Sequence, residues 1–370
     1  MHKRILFTLT IFFILAIIIV VNISYILPLR INKQWSQVPK TPEEAAVFSF
    51  ISNSMSEKNY GIYTNYLDVQ SVGDTAKGHA VLSESEGLLM LYAVEKGDKT
   101  LFDEHYNIVV NQMLLKDGLV SWKKDKKNIA QCSSSIDDLR ITKSMFYAYD
   151  RWKDFKYKKQ AVKLSKSMLK NSIDENLLID FKDQYGKSKN TTICYLDLET
   201  MMLLSELDFR WKKVYSNCDK LLSNAYISNE LPLYRKSYSV DKRTYTNEDS
   251  ADMLLSMLTI QNKLLAGEDV STSVSWIKEK FNKNGALYSS YTIKSGEVAS
   301  NVESTAIYSI GAVIARELKD EELYNKMINK VKSFQIKEEG ELKGAFGNQD
   351  TQEVFSFDNL NALLALQNKQ

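Results

Sequence analysis

The stretch SESEGLLMLYAV, from Ser83 to Val94, decides how the rest of the chain is read. Acids and hydroxyls open it, and the turns that follow are apolar nearly all round. A helix of that kind must be buried on every side. An amphipathic stretch comes next, LFDEHYNIVVNQMLL from Leu101. The same two-part pattern returns along the chain. SSIDDLRITKSMFYAYDRW begins at Ser134 and is followed by YKKQAVKLSKSMLKNSI from Tyr157. Further leading helices begin as YLDLETMMLLSEL at Tyr195, NEDSADMLLSMLTI at Asn247, NVESTAIYSIGAVIA at Asn301 and FDNLNALLAL at Phe357. The starts recur at roughly 54-residue spacing, long enough for a helix pair and a loop.

Buried helices alternating with one-stripe amphipathic helices predict an all-α toroid, an (α/α)6 barrel, with the apolar helices inside. In the segment from Tyr157, Val162, Leu164, Met168 and Leu169 form the stripe, against Lys159, Lys163, Lys166 and Lys170. The sixth pair lacks an outer helix at the C-terminus, whereas TPEEAAVFSFISNSM from Thr41 is a spare helix at the other end. Closure of a ring is therefore expected in preference to an open solenoid. The barrel domain is expected to span 41–370.

Ahead of it, Lys3 and Arg4 precede an uncharged run from Ile5 to Leu29. About twenty apolar residues cross a bilayer as a helix, and the flanking cations favour a cytoplasmic N-terminus. The expected organisation is a cytoplasmic 1–4, a transmembrane signal-anchor 5–29, a juxtamembrane linker 30–40 and an extracytoplasmic barrel. A cleaved signal peptide is the alternative, but the apolar run is long and no small-x-small site follows it. No cysteine lies near its end to carry lipid. The three cysteines, Cys132, Cys194 and Cys218, are too few for a disulfide framework. Free thiols are expected, with a Cys132–Cys194 bridge as the alternative. Net charge is +2, which argues against nucleic acid as a partner.

In a barrel, the loops before the inner helices share one rim. These loops carry Trp122, Tyr234, Tyr238, Tyr245, Tyr288 and Tyr291. Aromatic faces beside carboxylates are the means by which proteins grip and cut sugar polymers. Acids also open every inner helix: Glu84 and Glu86, Asp137 and Asp138, Asp197 and Glu199, Glu248, Asp249 and Asp252, Glu303, and Asp358. Most of these can be helix caps, which a carboxylate at an N-terminus supplies well. Glu84 is singled out because Ser83 and Glu86 have the spacing of a capping box, which leaves Glu84 unneeded for capping and beside apolar turns that would raise its pKa. Asp249, across the ring, is the favoured partner, with Glu248 and Asp252 as rivals. Three histidines, His2, His79 and His105, leave little for a His-based metal site. No nucleophile elbow or phosphate-binding glycine loop occurs.

At these residues the chain resembles glycoside hydrolase family 8, the inverting endoglucanases, xylanases, chitosanases and cellulose-synthesis hydrolases. Its Ser83-Glu84-Ser85-Glu86-Gly87-Leu88-Leu89-Met90 is similar to the family's Ser-Glu-Gly-Gln-Gly-Tyr-Gly-Met, whose Glu is the general acid. Asp98, Gly118, Leu119 and Trp122 match further family positions, and the match implies a sugar-facing Trp122. Ile136-Asp137-Asp138-Leu139 resembles Thr-Asp-x-Asp-Leu, a sugar contact at the cut bond. Tyr195 resembles the tyrosine that holds the attacking water. Asp249 falls on the Asp of Tyr-Asp-Ala-x-Arg, the base in one subgroup, although the Arg is replaced. Departures and anchor together look like divergent members of exopolysaccharide-synthesis systems.

The resemblance thus implies an anchored, extracytoplasmic, inverting, endo-acting hydrolase of a β-linked polysaccharide that needs no cofactor and works beside an exopolysaccharide synthase complex. Glu84 would be the acid and Asp249 the base. Asp137 or Asp138, Trp122 and Tyr195 would bind substrate. Two other readings fit the same toroid: a carbohydrate-binding scaffold that has lost its chemistry, and a polysaccharide lyase or unsaturated-uronide hydrolase.

Overall fold

The computed structural model describes residues 22–35, 37–69 and 76–367. Between residues 42 and 365 it contains twelve α-helices among the described residues. They are α1 (Pro42–Ser54), α2 (Ser83–Lys96), α3 (Lys99–Ile108), α4 (Ser135–Trp152), α5 (Phe155–Asn171) and α6 (Leu198–Leu207), then α7 (Arg210–Asn224), α8 (Met253–Leu265), α9 (Ser271–Asn284), α10 (Thr305–Glu317), α11 (Glu321–Phe334) and α12 (Ser356–Ala365).

The even-numbered helices form the inner ring, and each touches its two neighbours, with α12 returning to α2. Particular contacts clasp five of the six seams. Ser83 Oγ donates to Asp137 Oδ2 at 2.8 Å between α2 and α4, and Tyr147 donates to Glu199 at 2.6 Å between α4 and α6. Gly311 of α10 leaves room for Met257 of α8; a Cβ there would stand 3.1 Å from the Met257 methyl. Asp358 of α12 accepts from the Ala306 amide of α10 at 3.1 Å. Ser85 and Ser356 close the ring at 2.8 Å.

The helix from Thr41 supplies the sixth outer helix, as expected. α1 packs on α12 and has a true capping box, in which Thr41 and Glu44 satisfy each other's amides. The core follows from the apolar inner helices. Leu88, Leu89, Met90, Ala93 and Val94 of α2 are all buried in one cluster with their counterparts from α4, α6, α8, α10 and α12.

The rim is edged with short strands. Val81–Leu82 pairs with Lys123–Lys124, Asn190–Thr192 with Ser237–Ser239, and Ser250–Asp252 with Ser290–Thr292. These pairings alter two expectations about helix starts. Ser83 already lies in the first turn of α2, whose N-cap is Leu82 and carries no side-chain cap. The expected Ser83–Glu86 capping box therefore does not form: Glu86 is fully buried, accepting from the Ile62 amide at 2.9 Å and meeting His105 Nδ1 at 2.7 Å. The fourth inner helix starts at Met253, not near Asn247, because Ser250–Asp252 is strand and Asp252 caps the helix by accepting from the Leu255 amide.

The segment before α1 is packed onto the barrel. Lys33 reaches Glu95 at 3.1 Å, Trp35 donates to Asp150 at 2.6 Å, and Tyr25, Leu27, Leu29 and Ile31 lie against the main core. The expected linker 30–40 is thus a docked strap across the inner helices' C-terminal ends. Most of the apolar run 5–29 lies outside the described residues; no described helix is long and apolar enough to cross a membrane. No disulfide forms among the described residues, so the alternative Cys132–Cys194 bridge is absent.

Candidate active site

The rim end of the ring opens into a cavity of about 350 Å³, lined by Glu84, Trp122, Asp137, Arg140, Tyr195 and Phe357 with Leu254, Leu255 and Leu258 of α8, among others. Four residues singled out from the sequence (Glu84, Trp122, Asp137 and Tyr195) therefore meet in one space. Trp122 lies just before the strand Lys123–Lys124 and is held there by its own carbonyl, which accepts from the Ser83 amide at 3.0 Å. Tyr195 ends a short 3-10 turn immediately before α6.

Glu84 projects from the first turn of α2. Burial pushes its carboxyl up to about 7; the neighbouring charges of Asp137 and Asp358 add to the rise, and Arg140 opposes it. A carboxyl with that pKa holds its proton near neutrality and can donate it. Asp137 is buried and tightly held. One oxygen accepts from Ser83, and the other takes Arg140 at 2.6 Å from one helical turn along. Burial also raises the Tyr195 phenol above its ordinary value, so it stays protonated as a hydrogen-bond donor.

Asp138 is separated from its neighbour. It is fully buried, does not line the cavity, and accepts from the Val120 amide at 2.9 Å. Burial raises its pKa well above the carboxylate range. It holds the Trp122 loop, and of the pair Asp137 alone faces the cavity. Asp249 does not line the cavity either; it is exposed just before the strand Ser250–Asp252 that leads to α8. Asp252 caps the helix that forms the far wall, and its charge acts on the thiol of Cys194, which lines the cavity.

Other acids take the bland role their position allows. Asp197 caps α6 by accepting from Thr200 and pairs with Lys143 at 2.8 Å, while Asp358 caps its neighbour α10. Several rim tyrosines are core residues instead of platforms. Tyr291 is fully buried against Trp276, Tyr234 is buried, and Tyr238 and Tyr245 pack on each other at 5.1 Å.

Sequence reasoning passed over Arg140, whose spacing of three from Asp137 on one helix was the available signal. Gly87 makes room for it: a Cβ there would stand 3.2 Å from Arg140 Cδ. A deeper cavity of about 130 Å³ continues below, sharing Ile136, Arg140, Cys194, Leu258 and Phe357 with the first.

A helical ring with a protonatable glutamate, an aromatic and a held aspartate at its mouth defines a glycoside-cleaving enzyme. A sequence profile of glycosyl hydrolases family 8 matches residues 49–230. A solved structure described as a novel alpha-amylase from Clostridium perfringens is 48% identical, with a TM-score of 0.85, covering 88% of this chain and 96% of that one. A protein named as a lipoprotein, YdaJ of Bacillus subtilis strain 168, is 25% identical over 90% of this chain and 89% of its own length. PssZ from Listeria monocytogenes shares the fold at 18% identity, with a TM-score of 0.68 over 90% of this chain and 97% of that one. The chain belongs to glycosyl hydrolase family 8 and is a glycoside hydrolase.

Proposed function

We propose that this is an anchored, extracytoplasmic, inverting endo-hydrolase of a β-linked polysaccharide. The observation that carries the chemistry is the raised pKa of Glu84 inside a cavity it shares with Trp122, Asp137 and Tyr195. Glu84 gives its proton to the glycosidic oxygen as the bond to the anomeric carbon breaks. A water attacks that carbon from the opposite face and passes its proton to a carboxylate. Tyr195 orients the water, Trp122 stacks on a pyranose face, and Asp137, fixed by Ser83 and Arg140, binds the hydroxyls of the sugar at the cut bond.

Asp249 is the base that the family motif suggests. Asp252 is the stronger rival: like Asp249 it is exposed and outside the cavity lining, but it stands at the head of the helix that walls the cavity opposite Glu84. In an inverting enzyme the two carboxyls stand about 6.5–9.5 Å apart with the water between. Asp252→Asn should therefore lower kcat by about a hundredfold or more, and Asp249→Asn by far less. The reverse order would return the role to Asp249.

The anchored, extracytoplasmic placement is supported by Lys3 and Arg4 before the apolar run and by the name of the Bacillus subtilis relative. Having no cysteine before Cys132, this chain would hold to the membrane by its N-terminal apolar run. A strand of exopolysaccharide emerging beside its synthase complex is the substrate this placement offers.

One observation favours a second reading of the substrate: the 48% identical relative is described as an alpha-amylase, so an α-linked glucan is the alternative. Release of reducing ends from β-glucans, exopolysaccharide and amylose separates the two. Proton NMR of the first product then reports the linkage, since inversion gives an α-anomer from a β-bond and a β-anomer from an α-bond. Turnover of amylose alone would replace the β-linked assignment.

A further inference from the structure

The chain carries a net charge of only +2, yet its positive charge is concentrated on one side. α5 has six lysines and no acid. α7 has four basic residues and one acid. The two outer helices are neighbours: Trp211 of α7 donates to Ser165 of α5 at 2.8 Å. Lys159, Lys163, Lys170, Lys212, Lys213 and Lys220 are all exposed.

At the end away from the cavity mouth, this basic face carries apolar side chains in water. Phe155 opens α5 and Phe209 stands immediately before α7, and Phe209 is 77% exposed. Lys153, Lys156 and Arg210 flank them and are paired with Asp150, Asp103 and Asp208, so the unpaired charge of this face comes from Lys159, Lys163, Lys212 and Lys213. Aromatic rings among lysines and arginines are the composition that seats a protein at a lipid headgroup layer.

The strap reaches the barrel on this same side. Lys158 of α5 donates to the Leu27 carbonyl at 2.6 Å, Lys166 lies over the Tyr25 ring at 4.4 Å, and the Arg30 amide donates to Glu206 at the end of α6. Ile23 and Ile26 remain exposed beside these contacts, Ile26 at 69%. The apolar run that would enter the bilayer therefore leaves the barrel next to exposed aromatics and a lysine field.

We propose that the lower halves of α5 and α7, with residues 23–27, form a membrane-facing surface that binds anionic phospholipid headgroups. The barrel then rests base-down on the bilayer, and its active-site mouth points away from the membrane. This rests on the anchored reading above. Basic residues near such a surface are attracted to its anionic headgroups, so the face supplements the anchor and fixes the domain's orientation.

The test uses the full chain in vesicles. Cys132→Ser removes the one cysteine that is not buried. An environment-sensitive dye is then placed at Phe209→Cys on the base or at Tyr185→Cys on the rim hairpin, with headgroup spin-labelled lipid as quencher. In phosphatidylglycerol-rich vesicles the dye at 209 should lose most of its fluorescence and the dye at 185 almost none. Reversing Lys159, Lys163, Lys212 and Lys213 to Glu should bring 209 to the level of 185, with an unchanged thermal transition showing that the barrel is intact. Equal quenching at both positions overturns the proposal. So does protection of 209 by soluble polygalacturonate but not by lipid, which would make the face a polyanion site. Failure of the chain to float with vesicles removes the anchor and the proposal together, whereas the hydrolase reading is tested separately by sugar release.

Discussion

Replacing Glu84 by Gln should stop turnover and stabilise the protein at alkaline pH. The carboxyl ordinarily titrates at 4.5 and is pushed up to about 7 in the folded chain. At 1.36 kcal/mol per unit, the folded state's tighter hold on this proton amounts to about 3 kcal/mol. The folded pKa lies above the unfolded one, so this stability is fully present below about 4.5 and is lost as pH rises through about 7. Above that, the native enzyme carries a buried charge it would be more stable without. Gln keeps the shape and removes the titration. Urea unfolding of wild type and Glu84→Gln, compared pairwise, cancels every other titrating group. The variant should lead by about 3 kcal/mol at pH 8 and by about 1 kcal/mol at pH 5. Reducing-end release in the wild type should fall as pH rises through about 7, and in the variant it should be lost at every pH. A stability gap of equal size at both pH values would refute the assignment of a raised pKa; residual full activity would refute the role.

Three further substitutions probe the frame around this group. Asp137→Asn removes a charge that holds the Glu84 pKa up; residual activity should show its alkaline limb at lower pH, alongside a loss of kcat of about a hundredfold. Gly61→Ala should cost about 2–4 kcal/mol in denaturant unfolding, because Gly61 has φ +125° and a Cβ would meet Glu86 Oε1 at 2.6 Å; a loss under about 1 kcal/mol would contradict that contact. Lys143→Met leaves Asp197 and Glu199 without the cation that sits 2.8 and 3.0 Å from them; a loss of about 3–5 kcal/mol is expected, read as a fall in the urea midpoint at pH 7 that acidification partly restores.

The ring was legible because it rests on periodicity. Apolar inner helices must be buried whatever their neighbours do, so the spacing of their starts and the spare helix at Thr41 were enough to predict closure. Glu84, Trp122, Asp137 and Tyr195 were found by local motif, and each sits at a helix start or rim strand that sequence places well. The errors share one cause, which is pairing between loops distant in sequence. Strand pairing of Val81–Leu82 with Lys123–Lys124 carries the chain into α2 one residue before Ser83, and Ser83 is then free to hold Asp137. Pairing of Ser250–Asp252 with Ser290–Thr292 delays α8 and leaves Asp249 outside the cavity wall. Neither pairing has a period to betray it. Tyr291 reads as a rim aromatic by its loop, but its burial against Trp276 depends on α9 lying beneath it.

The contrast between Glu84, the proposed catalytic acid, and Asp197, a cap, shows how partners separate two acids at the same helix position. Both stand at the start of an inner helix, where the dipole favours negative charge. Asp197 receives what that position offers: the Thr200 amide and hydroxyl on its two oxygens, and Lys143 beside one of them. Glu84 faces a cavity with apolar walls, and the cation nearest in charge, Arg140, is already engaged by Asp137 at 2.6 Å. Asp137 thus acts on Glu84 twice, by its own charge and by occupying the arginine that would otherwise favour ionisation. Helix position gives both residues the same expectation; their partners reverse it for one of them. The glutamate that stays protonated is the one whose neighbours leave it without a counter-charge, and the cost appears as the stability the enzyme gives up above neutral pH.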